Sequence, residues 1–446
     1  MTKPGRSGQP GVNGWFPVSL LFFFLSAAIW YAFWQEMYLS ADGAYYFAGI
    51  LDSGRVFNYI PARLYANVAS QWPLILAVKA GFTNLETLKF LFSFGLYFPY
   101  LVSIGLCAYA RRGMDPYALM FPLTGYLLVS FPLAYLWVGE SQVMAVATWP
   151  VLYFLLRPSP TRVDVALLIS LLLFLSRTYE AAVGAAVVFT AIIMVRLMRG
   201  PAEHRRWLVS ALGAVLVVLG VCAYSAIFPA RPENRAGFVS GVLHPLSNPN
   251  LVCGLVGLFV LAAAILSRRV WLLAVSVAAG VVSVLMALLG HTVSAGVSFD
   301  SRSLALTLLP LLLLGATWFV HRSLQINRTQ VATMIAVFLL LIAGNVVSWD
   351  DWVRYRVDFV RTLGQSTGYV AIEDTASYRS PIRWGWTSPL LSVLWSGDCV
   401  RAVILNSSNR WEPFDPRKSL PMQSYFRFAE SFHAVAPRAR ACEQRP

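Results

Sequence analysis

Apolar runs long enough to cross a bilayer recur along most of this chain, separated by short polar turns. The first runs from Trp15 to about Met37. Others lie near 88–110, 117–138, 141–156, 163–177, 180–198, 207–228, 249–267, 270–290, 303–321 and 330–348. A spanning helix needs roughly 20 mostly apolar residues, because hydrocarbon offers an exposed backbone no hydrogen-bond partner. One water-soluble core cannot absorb so many runs, so lipid must solvate much of the surface. Composition agrees: 57% of residues are hydrophobic and 13% charged, against about a quarter charged in soluble globular chains. The pattern predicts an all-α polytopic membrane protein with about eleven transmembrane helices. The runs within 141–198 fall short of a full span and are read as tilted, half-buried or joined by re-entrant turns.

The net charge of +14 sits mostly in the turns. With eleven crossings, Lys3 and Arg6, Arg111-Arg112, Arg157 with Arg162, Arg196 to Arg206, Arg268-Arg269, and Arg322 with Arg328 all fall on one side. The positive-inside rule makes that side cytoplasmic. Residues 38–87, Gly139-Glu140, the turn from Arg177 to Glu180, 229–248, 291–302 and everything after Ser348 then lie outside. Charge placed this way marks topology, so no nucleic-acid partner is expected. The organisation predicted is a disordered cytoplasmic tail (1–14), a transmembrane domain (15–348) with a long first outer loop (38–87), and a soluble extracytoplasmic domain (349–446). The first run is too long for a signal-peptide core and no small-residue cleavage site comes after it, so it is read as a retained helix. The location expected is the bacterial inner membrane, with a cytoplasmic N-terminus and a periplasmic C-terminus.

The first outer loop has its own periodicity. Phe57, Ile60, Leu64, Val68 and Trp72 recur at helical spacing, which predicts one or two helices on the membrane surface. The C-terminal domain opens on an amphipathic segment with Trp352, Tyr355, Phe359 and Leu363 on one face and Asp351, Arg354, Asp358 and Arg361 around the other. Tyr369–Ile372 and Val400–Leu405 read as short strands, giving a small α/β domain. The five cysteines form no CxxC or Cys/His cluster. Cys107, Cys222 and Cys253 lie in apolar runs and read as small core residues. Cys399 and Cys442 share the C-terminal domain; a disulfide in an oxidising compartment and two free thiols fit the sequence equally.

Three groups of residues carry candidate chemistry. Ser40-Ala41-Asp42-Gly43-Ala44-Tyr45-Tyr46-Phe47 sets a carboxylate just past the first helix, although an Asp there also serves as an N-cap. Phe299-Asp300-Ser301-Arg302 opens an apolar helix containing Pro310. A guanidinium there suits a phosphate, which it pairs in bidentate fashion, and it equally suits a snorkelling helix end. Glu140 lies in Gly139-Glu140-Ser141 at an outer turn. Arg177 and Glu180, three apart at the next outer turn, are read as a structural ion pair, since ionisable groups at membrane depth need partners.

The layout resembles the membrane-embedded glycosyltransferases of the GT-C superfamily, which include protein O-mannosyltransferases and the lipid A aminoarabinose transferase. The resemblance rests on the acidic residue after the first helix, the long outer loop with surface helices, and an outer C-terminal domain. It implies transfer of a sugar from a polyprenyl-phosphate carrier to a cell-envelope acceptor (lipid, glycan or protein) at the outer face, with inversion. Asp42 would be the catalytic base and Arg302 would hold the donor phosphate, with Arg231, Arg235 and His244 able to add positive charge. Glu140 would orient the acceptor or hold a metal, and Tyr45, Tyr46 and Trp137 would stack on sugar rings. Partners implied are the lipid-linked sugar donor, the acceptor and membrane lipid. No cofactor is implied with certainty. A divalent metal is admitted but not required, because Gly43 follows Asp42 where relatives carry a second acid, and the adjacent pair Asp350-Asp351 lies at the end of the last helix. The rival reading is a polytopic lipid or glycan transporter or flippase, which predicts internal repeats and charges in mid-span. The chain shows no internal repeat.

Overall fold

The computed structural model describes residues 15–40, 42–58, 60–112, 114, 116–130, 139–229, 306, 309–322, 335, 338–339, 342–343, 349–379, 387–396 and 402–405. The expected spans at 249–267 and 270–290, and most of that at 330–348, lie outside them, as do Arg302, Arg231, Arg235, His244, Trp137, Cys399 and Cys442.

The described residues are mostly helical, and three helices are long and apolar enough to cross a membrane. Two of them are α4 (Leu85–Ala110) and α8 (Ala182–Arg199). The third comprises residues 202–227, and α9 (Arg205–Ile227) makes up most of it. The remaining helices, in chain order, are α1 (Trp15–Trp34), α2 (Asp42–Ser53), α3 (Leu64–Lys79), α5 (Met120–Gly125), α6 (Glu140–Leu156), α7 (Arg162–Leu175), α10 (Leu309–Arg322), α11 (Asp350–Gln365) and α12 (Ser388–Trp395).

Local chemistry sets the boundaries. Asn84 caps α4 by accepting from the Thr87 amide at 2.9 Å, and Glu86 in the first turn complements the helix dipole. Thr161 and Asp164 form a reciprocal capping box that starts α7, and Arg157 pairs with Asp164 at 2.6 Å. Gly139 precedes α6 with φ +101°, a conformation that an L side chain rarely adopts.

Most helices bury one stripe and leave another outward, whereas α6 and α12 are buried on almost every face. On α1, Val18, Leu21, Leu25, Ala28 and Ala32 are buried at three- and four-residue steps, while Phe16, Phe23, Trp30 and Trp34 are exposed. On α3, Tyr65, Val68, Trp72 and Leu76 form the exposed row, and Asn67, Ser70, Gln71 and Leu74 face inward. An outward apolar row backed by an inward polar row reverses the pattern of a soluble helix and fits a lipid-facing element. The α3–α4 crossing is close. A Cβ on Gly95 would stand 2.1 Å from the Ser70 carbonyl oxygen and 3.0 Å from Pro73. Pro73 lies inside α3, so glycine and proline meet where the two backbones approach. Cys107 and Cys222 are buried, as their apolar runs predict.

The C-terminal segment has the expected local structure. Trp352, Tyr355, Phe359 and Leu363 of α11 are all buried. Strands β1 (Gly368–Ala371) and β2 (Ala402–Leu405) pair in parallel, and α12 lies between them in sequence. This segment seats on the end of α1. Trp349 stacks on Tyr31 with centroids 6.1 Å apart, and the Trp352 indole donates to the Gln35 carbonyl at 2.8 Å. At the seat, Glu36 adopts φ 51°, ψ 34°, the single described non-glycine residue with positive φ. A non-glycine residue in that region costs ~1–3 kcal/mol unless its surroundings hold it there.

Candidate functional site

The site grows from the polar row of α3. Asn67 and Gln71 lie four residues apart on one face of α3, and Arg63, four residues before Asn67, immediately precedes the helix. Gln71 brackets Phe57 with its amide, accepting from the Phe57 N–H at 2.8 Å and donating to the Phe57 carbonyl at 2.9 Å. That fixes the chain between α2 and α3. The Phe57 ring then packs over Gly49, where a Cβ would come within 2.4 Å of it, and against Tyr45 and Tyr46 at centroid distances of 5.0 and 5.7 Å. Asn67 donates to Asn58 Oδ1 at 3.0 Å and leans toward Glu140 at 3.4 Å.

At the head of this row Arg63 lies between two carboxylates. Its Nη1 donates to Glu140 Oε2 at 3.0 Å, while Nη2 and Nε donate to Glu180 Oε1 and Oε2 at 2.8 and 3.1 Å. The second pair is the parallel fork that a planar guanidinium makes with one carboxylate. The guanidinium also sits 4.7 Å above the Tyr179 ring. All three charged residues are buried, each at 6% exposure, so water screens them only weakly. Burial alone would lower the Arg63 pKa; the adjacent Glu140 and Glu180 carboxylates overcome it and hold the guanidinium well above its usual range. Tyr46 completes the network by donating its hydroxyl to Glu140 Oε1 at 2.6 Å.

Four separate elements therefore converge: α2 through Tyr46, the start of α3 through Arg63, the first residue of α6 through Glu140, and the turn before α8 through Glu180. That turn is tied to the loop a second way. Arg177 donates to the Pro61 carbonyl at 2.7 Å, and the Tyr65 N–H donates to the Arg177 carbonyl at 3.0 Å. The expected partnership of Arg177 with Glu180 is thus replaced: Glu180 engages Arg63, and Arg177 clamps the backbone at Pro61 and Tyr65. Arg63 and Glu180 line a cleft of about 200 Å³ with Pro61, Tyr224, Ser225 and Phe228.

Of the residues singled out in the sequence, the structure brings Tyr46, Glu140 and Glu180 into one network. Tyr45 is half-buried beside it. Asp42 opens α2 four residues before Tyr46, so the two positions share a face of that helix. Arg302, Cys399 and Cys442 lie outside the described residues. Sequence reasoning missed Arg63, Asn67 and Gln71. The signal available was their four-residue recurrence directly after Pro61, a polar row facing away from the apolar row of Val68 and Trp72. Among the described residues, no group of three or more His, Cys, Asp or Glu side chains is placed to hold a metal ion. Compared with family models, with curated proteins and with solved structures, the chain shows no match.

Proposed function

We propose that this chain is a multi-pass membrane glycosyltransferase of the GT-C kind, moving a sugar from a polyprenyl-phosphate carrier to a cell-envelope acceptor. In this reading it crosses the inner membrane about eleven times, as the succession of apolar runs predicts. Its N-terminus is cytoplasmic, and residues 349–446 form a periplasmic α/β domain. The observation that carries the reading is the buried Tyr46–Glu140–Arg63–Glu180 network beside a cleft. It fixes α2, the helix that begins with Asp42, against α3, α6 and the turn before α8. A rigid mount for a reacting carboxylate is what positional catalysis needs. The placement of charge favours surface chemistry over a conduit. Glu140 begins α6, Glu180 precedes α8, and Arg196 and Arg199 end α8, whereas a transporter would set such groups in mid-span.

In the proposed reaction Asp42 takes the proton of an acceptor hydroxyl. The freed oxygen attacks the anomeric carbon, and the bond from that carbon to the phosphate oxygen breaks with inversion. Polyprenyl phosphate leaves as an anion and needs no proton if a cation such as Arg302 stabilises it. The test is Asp42→Asn, expressed and inserted as the parent and assayed for sugar transfer from a polyprenyl-phosphate donor. Transfer should be abolished; full transfer in that variant removes the base.

A further inference from the structure

Glu36 lies outside the network described above, yet it gathers two cations and an indole on one carboxylate. Its Oε1 accepts from Lys89 Nζ of α4 at 2.9 Å. Its Oε2 forms an ion pair with Arg356 of α11 at 3.0 Å and accepts from the Trp395 indole N–H of α12 at 2.8 Å. Lys89 is buried and its other partner, Glu86, is exposed. Arg356 also reaches the Trp34 carbonyl at 3.4 Å, and Trp352 holds the Gln35 carbonyl. Three elements thus close on the end of α1, and two of them belong to the C-terminal segment.

Glu36 leads directly into α2. Met37–Leu39 form a buried 3-10 turn, Ser40 is buried, and α2 begins at Asp42. The backbone turns from α1 toward α2 through the left-handed conformation of Glu36, and α12 itself touches α2. A side chain gripped by two cations and an indole N–H is the device that can hold a strained residue in place. We infer that Glu36 is a positioning residue: by binding Lys89, Arg356 and Trp395 it makes the C-terminal segment a clamp that sets the direction in which α2 leaves α1, and so the place of Asp42. The clamp stands as a structural claim by itself; its effect on sugar transfer rests on the function proposed above.

The experiment uses the full-length chain in detergent, with its five cysteines replaced by alanine and a reporter thiol introduced by Asp42→Cys. The rate of modification by a charged thiosulfonate is compared with and without Glu36→Ala. Tryptic cleavage at Arg354, Arg356 and Arg361 reads the docking of α11 directly. Glu36→Ala should open those sites and change the modification rate at position 42 about tenfold, a shift of about 1.4 kcal/mol in the clamp equilibrium. Trp395→Phe, which removes one hydrogen bond and keeps the aromatic packing, should move both readings part of the way. It supplies the test if Glu36→Ala does not fold. Opened tryptic sites with an unchanged rate at position 42 overturn the proposal, as do protected sites with an unchanged rate. Neither reading requires sugar transfer. An absence of transfer by the parent chain would therefore count against the proposed function while the clamp is judged separately. If the parent does transfer, Glu36→Ala should lower kcat with little change in the KM for the lipid donor; an unchanged kcat would refute the positioning role.

Discussion

Removal of the Arg63 side chain tests the buried network most sharply. Among the described residues, two carboxylates share this one guanidinium. Arg63→Ala takes that cation from between Glu140 and Glu180, where all three side chains are largely shielded from solvent. Breaking a buried pair by deleting one partner costs ~3–5 kcal/mol, because the remaining charge stays desolvated. Here two charges are left, and three hydrogen bonds and the contact with Tyr179 go with the guanidinium. Glu180→Gln is the informative contrast. It leaves one guanidinium facing one carboxylate, and the amide oxygen can still accept from Arg63, so its cost should be nearer ~1–3 kcal/mol. Arg63→Lys should fall between the two, since it keeps a charge but loses the planar fork. The assay is thermal unfolding in detergent of a chain with Cys253, Cys399 and Cys442 replaced by alanine, followed by a maleimide dye that fluoresces on reaching Cys107 and Cys222, which are buried in the folded chain. The order of loss expected is Arg63→Ala, then Arg63→Lys, then Glu180→Gln, with non-additive coupling in the Arg63→Ala/Glu180→Gln double variant. Equal midpoints for Arg63→Ala and Glu180→Gln would show that charge balance is not what the network supplies.

Packing and burial give two further expected outcomes. Gly95→Ala forces the α3 and α4 backbones apart at Ser70 and should cost ~1–3 kcal/mol in the same assay; a midpoint equal to the parent's would mean the crossing has slack. Burial, and then the Glu36 carboxylate, pushes the Tyr38 hydroxyl well above its usual pKa, and burial raises that of Tyr355. Their folded-state values exceed the unfolded ones. The stability they confer is therefore complete below about pH 10 and is lost as pH rises through the folded-state values. Stability measured against pH should fall above about pH 10, and less steeply in Tyr38→Phe/Tyr355→Phe; an identical fall in that variant would refute the assignment.

Much of the local structure was legible because it depends on near-neighbour spacing. The run 141–156 is α6 less one residue, and 180–198 lies within two residues of α8 at either end. The whole apolar face read at Trp352, Tyr355, Phe359 and Leu363 is buried, and both short strands form where β-branched and apolar residues gather. The site was legible in its residue types but not in its partners. Glu180 stood out as a charge at membrane depth, and the nearest cation in sequence was Arg177, yet the guanidinium that binds it lies 117 residues earlier. Glu36 likewise finds Lys89 at a separation of 53 and Trp395 at 359. Periodicity reports which face a residue occupies; it carries no term for which distant element will meet that face. Arg63 itself sits beside an apolar row whose fit to a membrane surface drew attention to the wrong side of α3.

The separation between Arg63 and its partners also orders events during synthesis. The chain emerges from its N-terminus, so Arg63 is complete when 77 residues remain before Glu140 and 117 before Glu180. Until α6 has been made, the loop between α1 and α4 still awaits the first carboxylate for its buried cation, and until the turn before α8 has been added, the fork has no second tine to grip. The segment between α1 and α4 therefore takes its final shape only once the turn before α8 has been added, well after its own residues have been joined.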